Sequence, residues 1–233
     1  MDLFSALAPP AQPRMPAEPI VRAAAIEGPY RWTMTRAWAK GKTILWVLFN
    51  PSRADGKTDD PTTLRMMGFS YRWGFGSMIV ANVYPFVASK PTDLHAWRRT
   101  FDHETFEGLG MPQWELGIDR SSWAAFHHNQ RLISDILTKA AAGGGQNEEM
   151  TCVAAWGHGP TLADLEHFLH CIQMTVDDDE FGSLRLNPTW HCLGKNLDGS
   201  PIHPLARGTH RVSDDATLKV WKRRGRAQPE RHG

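Results

Sequence analysis

The sequence predicts an α/β fold, a three-layer α/β/α sandwich around a central, mostly parallel four-stranded sheet, with one antiparallel strand added on its N-terminal side. Three observations predict it. Short apolar runs alternate with helical patterns along the 233 residues. The runs are continuous, as in strands buried on both faces of a parallel sheet. Strand–helix–strand succession implies parallel pairing through right-handed crossovers, with helices on the sheet faces.

Met1 to about residue 28 is rich in Ala and Pro ("APPAQPRMPAEP") without a sustained period, and reads as a flexible leader. Residues 29–218 then form a single domain. "YRWTMTRAWAKGKT" alternates large and polar residues around Tyr30, Trp32, Met34 and Arg36, a first antiparallel strand turning at Gly41 into the next. "TILWVLF" is the first buried strand. Asp60-Pro61 supplies an N-cap and a first-turn proline, and Leu64, Met67, Gly68 and Tyr71 continue at helical spacing as far as Gly74. "SMIVANVYPF" is the second buried strand.

Lys90 to Ser122 is irregular, with scattered Trp97 and Trp114, and reads as short helices and a long loop. "NQRLISDILTKAAAGGG" is a helix stopped by three glycines. "TCVAAWG" is the third strand, and Pro160 opens a helix with Leu162, Leu165, Phe168, Leu169 and Ile172 on one side. "SLRLNPTWHCLG" is the fourth strand, placed towards an edge because Pro188 cannot donate to a ladder. From Lys219 to residue 233 there are six Lys/Arg against one Glu, a basic tail that is either solvated or in contact with nucleic acid.

Composition excludes several classes. Hydrophobic content of 41% and charged content of 22% are those of a globular chain, neither fibrous nor wholly disordered. There is no apolar run long enough to span a membrane and no signal-peptide pattern, so a cytoplasmic location is expected. The three cysteines are widely spaced without a Cys-x-x-Cys pair, against a disulfide framework or zinc knuckle. His167 and His170 lie three apart on a helix without a metalloprotease motif or a visible third ligand, and His127-His128 leads into a helix. Phosphate-loop, dinucleotide and nucleophile-elbow signatures are missing.

In a parallel sheet the functional crevice lies outside the carboxyl ends of the strands. That rule selects Asn50-Pro51-Ser52, Asn82, Trp156-Gly157-His158 and the segment around His203. Pro51 stops the strand, so the chain turns over the crevice and displays Ser52. Asp55, Asp59 and Asp60 follow on the same loop; Asp60 is placed to cap the helix. The other two either order the loop through Asx-turns or act chemically, by orienting a water or holding magnesium. Arg65 can pair with a carboxylate or reach a phosphate. Asn82 offers a donor and an acceptor, suited to a base edge or to capping nearby backbone. Tyr84 or Trp156 would stack a base, unless they are core. His158 is a further binding candidate, and His203 a donor to a developing anion or an exposed loop histidine. No metal ligand set or cofactor is expected, magnesium on the aspartate loop being the alternative.

"FNPSRADGKTDDPTTLRMMGFSYRWGFGSMIVANVYPF", followed by "AAWG" and "HCLGKNLDGSPIHPL", closely resembles the DUF1643 family of bacterial and phage proteins, over about Tyr30 to Leu205. The architecture is also similar to that of the uracil-DNA glycosylase superfamily. That resemblance implies a water-positioning role for Asn50 within Asn50-Pro51, a base-reading role for Asn82, and a catalytic His203 within His203-Pro204. Phe49 stands where small residues are usual, Leu205 replaces a serine, and the Asp-rich loop has no counterpart. The implied function is therefore hydrolysis or modification at a nucleobase, rather than uracil excision itself, with nucleic acid or a nucleotide as partner. Two alternatives stay open: a non-catalytic base-binding accessory protein, or magnesium-dependent phosphoryl transfer on Asp55, Asp59 and Asp60. Asp55 and Asp59 join Asn50 and His203 as catalytic candidates; Pro51, Ser52, Arg65, Asn82, Tyr84, Trp156 and His158 are binding candidates.

Overall fold

The computed structural model describes residues 20–52, 54–102, 120–143, 150–160, 162–174 and 188–222. Its strands are β1 (Val21–Glu27), β2 (Tyr30–Ala37), β3 (Thr43–Leu48), β4 (Ser77–Asn82), β5 (Thr151–Ala154), β6 (Trp190–Cys192) and β7 (Lys219–Lys222). The helices are α1 (Pro61–Arg72), α2 (Pro91–Asp102), α3 (Arg120–Gly143) and α4 (Leu162–Met174). All seven strands join one mixed sheet in the order β1-β2-β4-β3-β5-β6-β7. The pairs β4–β3, β3–β5 and β5–β6 are parallel, and the outer pairs are antiparallel.

The continuous apolar runs give the sheet two buried faces, because successive side chains point to opposite sides. Leu45, Val47, Ala81, Cys152 and Ala154 pack against Leu94 and Trp97 of α2, Phe126 and Ile133 of α3, and Phe168 and Ile172 of α4. Ile44, Trp46, Leu48, Met78, Val80 and Val153 pack against Met66, Met67 and Phe69 of α1, and against Val212. One helix therefore covers one face and three cover the other. The buried Trp46 indole donates to Ser70 Oγ at 2.9 Å, and that hydroxyl donates to the Met66 carbonyl at 2.8 Å, so this polar pair is satisfied inside the core.

The sheet is wider than its sequence pattern suggests. Residues 21–27, expected within the leader, form β1, whose face is largely exposed; ladder bonds to β2 and an ion pair from Arg22 to Asp59 hold it, not an apolar stripe. Gly28, at φ 53°, makes the tight turn into β2. Lys219–Lys222, expected as tail, form β7, anchored by Trp221, whose ring lies 5.0 Å from that of Trp156 at 89°. Because β7 pairs outside β6, the strand after Pro188 is not an edge. Nor does β2 pair with β3: Met34–Ala37 pair with Val80–Ser77, which inserts β4 between them.

Smaller departures follow from phase and length. On α1 Leu64 is 50% exposed, and Thr63, Met66, Met67, Phe69 and Ser70 form the buried face. The irregular Lys90–Ser122 region begins with the single helix α2. Helix α3 starts at Arg120, well before Asn129. Trp114, the first half of the expected fourth strand, residues 1–19 and residues 223–233 lie outside the described residues. Among the described residues no helix is long and apolar enough to cross a membrane.

Candidate functional site

Strand β3 releases its chain at Phe49, whose ring lies over Gly159, where a Cβ would come within 2.4 Å of it, and 5.4 Å from Tyr84 edge-on. Asn50 comes next and turns inward. Its amide donates to the Ala88 carbonyl at 3.0 Å and to the Pro51 carbonyl at 3.1 Å. Both N–H groups being so used, Oδ1 is the atom Asn50 can present.

Strand β4 ends at Asn82, only 1% exposed. Neither Nδ2 nor Oδ1 has a hydrogen-bond partner among the described residues. Leaving a buried amide unpaired costs about 1–3 kcal/mol per group, so this is the site's most informative anomaly. The backbone there is fixed from the opposite layer, where buried Asn129 of α3 donates to the carbonyls of Asn82 at 2.8 Å and Val83 at 3.3 Å.

Asn50, Ser52, Asn82 and His203 line one cavity of about 50 Å³, together with Arg31, Asp60, Thr62 and Thr63, and with Met34, Leu48, Met66 and Val80 as apolar wall. It sits at the carboxyl ends of β3 and β4, beneath the first turn of α1. A volume of that size holds a few waters, at roughly 10–15 Å³ each.

Asp60 caps α1, as its position before Pro61 predicts: Oδ1 accepts from Thr63 N at 2.7 Å and Thr63 Oγ1 at 2.8 Å. Its Oδ2 accepts from the Ser52 hydroxyl at the mouth of the cavity. Burial raises the carboxyl pKa, but the bonds from Ser52 and Thr63 and the charge of Arg31 outweigh it and hold the group below its ordinary range. Arg31, 3% exposed, donates to the Ala54 carbonyl at 2.6 Å, and its Nε has no partner among the described residues. Burial lowers its pKa to about 10, against the attraction of Asp60, so it stays charged at neutral pH. His203 accepts from Leu205 N at Nδ1, 3.1 Å, which puts the ring proton of the neutral form on Nε2. Burial lowers its pKa, with Asp60 opposing. The Cβ of His203 would be 3.5 Å from one built on Gly157, the left-handed turn (φ 70°) after β5, so a side chain there would crowd the histidine.

Other candidates lie elsewhere. Asp59 binds Arg36 Nε at 2.6 Å and Arg22 Nη2 at 3.1 Å, away from the cavity. Asp55 accepts from the backbone of Lys57 and Thr58, both at 2.7 Å, an Asx-turn that orders the loop. Neither lines the cavity, where both were expected as catalytic groups, and the carboxylates of Asp55, Asp59 and Asp60 turn to different partners instead of converging on one point. Arg65 clasps the C-terminal segment next to His203, donating to the Pro204 carbonyl at 3.0 Å and to the Val212 carbonyl and pairing with Asp214, and it does not line the cavity. Tyr84 and Trp156 are core, the former beside Trp97 and Phe126, the latter beside Phe168 and Trp190. Neither can stack a base in this cavity. Pro51 is buried, and its carbonyl serves Asn50. His158 is exposed and binds Asp198 at 2.8 Å.

Sequence reasoning missed Arg31, Thr62, Thr63 and Asn129. Arg31 was hidden because β2 reads as an alternating edge strand, in which an inward arginine looks like a solvent-facing one. Asn129 sits in an apolar helix, and a buried polar residue in such a stripe is the signal that could have marked it.

A family model described as "Protein of unknown function (DUF1643)" matches residues 31–205. No curated protein and no solved structure matches the chain. The matched span opens at Arg31 and closes just past His203, so it contains every residue that lines the cavity, while β1 and β7 fall outside it. The chain belongs to the DUF1643 family.

Proposed function

We propose that the chain is a hydrolase acting at a nucleobase, on nucleic acid or a nucleotide, through glycosylase-like chemistry in the cavity beneath α1. The observation that carries this reading is Asn82: a rigidly held, buried amide whose donor and acceptor both lack a partner among the described residues. An amide presents an N–H beside a C=O, complementary to the lactam edge of pyrimidines and of hypoxanthine. Such an edge repays the desolvation cost that the protein leaves standing.

The remaining groups fit the other needs of N-glycosidic hydrolysis. Asn50 Oδ1 accepts from the attacking water, and the Asp60 carboxylate, ionised at neutral pH, takes its proton or stabilises the positive charge that develops on the sugar. As the water oxygen bonds to the anomeric carbon, the carbon–nitrogen bond breaks and its electron pair leaves with the base. The His203 Nε2–H and the Arg31 cation offset that negative charge. Met34, Leu48, Met66 and Val80 supply the apolar contacts to the ring in place of an aromatic stack.

The present cavity is well below the roughly 300–1,000 Å³ of ligand pockets, so base entry requires its mouth, between the side chains of Ser52 and Asp60, to widen. The Ser52–Asp60 hydrogen bond is the contact that yields, since Ser52 is exposed at the mouth.

Oligonucleotides carrying uracil, hypoxanthine or modified pyrimidines, and the corresponding free nucleosides, test the proposal with and without chelator. The expected product is a free base and an abasic sugar, insensitive to EDTA and reduced at least about 100-fold by Asn82→Ala. Binding without product on every substrate points to an accessory base-binding protein, and metal-dependent strand cleavage to phosphoryl transfer; either overturns the reading.

A further inference from the structure

A second group of ligand-competent side chains lies on the opposite face of the sheet, between α3 and α4. His167 and Cys171 are four residues apart on α4 and share one face of it. His127 meets them from α3. The ligand atoms of the three lie within 4.8 Å of one another, and Cys171 Sγ is 3.5 Å from His167 Nε2. The two imidazole rings stand at 89° with centroids 5.5 Å apart, and Phe126 stacks on His167 at 5.7 Å, fixing that ring.

The distances decide between packing and coordination chemistry. Tetrahedral zinc, with Zn–N of about 2.0–2.1 Å and Zn–S of about 2.3 Å, separates a nitrogen from a sulfur ligand by about 3.5 Å. The Cys171–His167 pair already has that separation. Bringing in the third ligand takes a side-chain adjustment on the order of 1 Å. An i, i+4 His–Cys contact alone is ordinary helix packing; a third donor arriving from another helix is not explained by it.

We propose that His127, His167 and Cys171 form a binding site for one zinc-class divalent ion, which clamps α3 to α4 and takes water as its fourth ligand. Two imidazoles and one thiolate are the donor set that zinc prefers over magnesium or calcium. Cys171 binds as thiolate, releasing its proton to solvent. The site is on the face away from the cavity under α1, so it stands independently of the activity proposed there.

Cobalt(II) added to the metal-free full-length protein is the test, because thiolate ligation gives a near-ultraviolet charge-transfer band and tetrahedral geometry gives intense visible bands. The expected result is saturation at one equivalent and displacement by zinc. Cys171→Ser abolishes the charge-transfer band, and His127→Gln weakens cobalt binding at least about tenfold. In parallel, zinc raises the Tm of the wild type and not that of Cys171→Ser, whose metal-free Tm shows whether it is folded. Absence of the band in the wild type, its survival in Cys171→Ser, or undiminished affinity in His127→Gln would overturn the proposal.

Discussion

The side chain of Asn129 donates to the backbone carbonyl of Asn82 at 2.8 Å, from the helix layer opposite the cavity that Asn82 lines. A residue on one face of the sheet thus fixes the strand end whose side chain works on the other. Asn129→Ala leaves the carbonyls of Asn82 and Val83 without this donor in a buried place, which costs about 1–3 kcal/mol. Urea unfolding should show a lower midpoint at unchanged slope. Turnover per folded molecule should also fall, because the amide of Asn82 loses its fixed position.

Asn82→Ala predicts the opposite balance. It removes two buried polar atoms that have no partner among the described residues, so stability should stay within about 1 kcal/mol of the wild type or rise. Ligand binding should be lost all the same. A large destabilisation on urea titration would mean that the amide has a structural partner.

Asp59 joins β1 and β2 by bridging Arg22 to Arg36, and Arg36 is fully buried. Asp59→Ala strands a buried guanidinium and should cost about 3–5 kcal/mol. Specific activity, corrected for the folded fraction, should be unchanged. A fall of tenfold or more in that corrected activity would return Asp59 to the catalytic machinery.

His203 and Asp60 both shape the acid side of the pH profile, together with His127, whose pKa burial lowers to about 4. Burial lowers the His203 pKa beneath its ordinary value near 6.5, so between that value and its folded pKa the unfolded chain binds the proton that the native protein refuses. Native stability therefore declines as pH falls below about 6.5, and His203→Gln should make that limb shallower, the share of His127 and His167 remaining. Asp60 has the carboxylate sign: its depressed pKa contributes stability that is complete above the unfolded value near 3.9 and disappears as pH falls through the folded one. The stability gap between wild type and Asp60→Asn should accordingly close in acid. Proton NMR of the His203 ring and unfolding curves across pH 3–8 check both signs.

Strands with dense apolar runs were legible in the sequence, because Ile44–Leu48 and Met78–Ala81 need burial on both faces and only a central sheet position supplies it. So was the rim: Asn50, Asn82 and His203 share one cavity because parallel strands end on the same side. The outer strands were not. β1 buries little and depends on an ion pair thirty-seven residues away in sequence, between Arg22 and Asp59, while the lysines of β7 mask the anchoring Trp221. The aspartate loop misled for a related reason: carboxylates close in sequence point in three directions, to Arg36, to local backbone N–H groups and into the cavity. Tyr84 and Trp156 were ambiguous until packing showed them facing the layer of α2, α3 and α4.

The most direct test of a base-reading Asn82 is the NMR signal of its side-chain amide, assigned by its loss in Asn82→Ala and followed as free uracil, cytosine or hypoxanthine is added. A base held by that edge should shift both amide protons, saturably, along with the His203 ring protons. Signals from Asn82 that stay still while resonances elsewhere on the protein respond to the same base would contradict it.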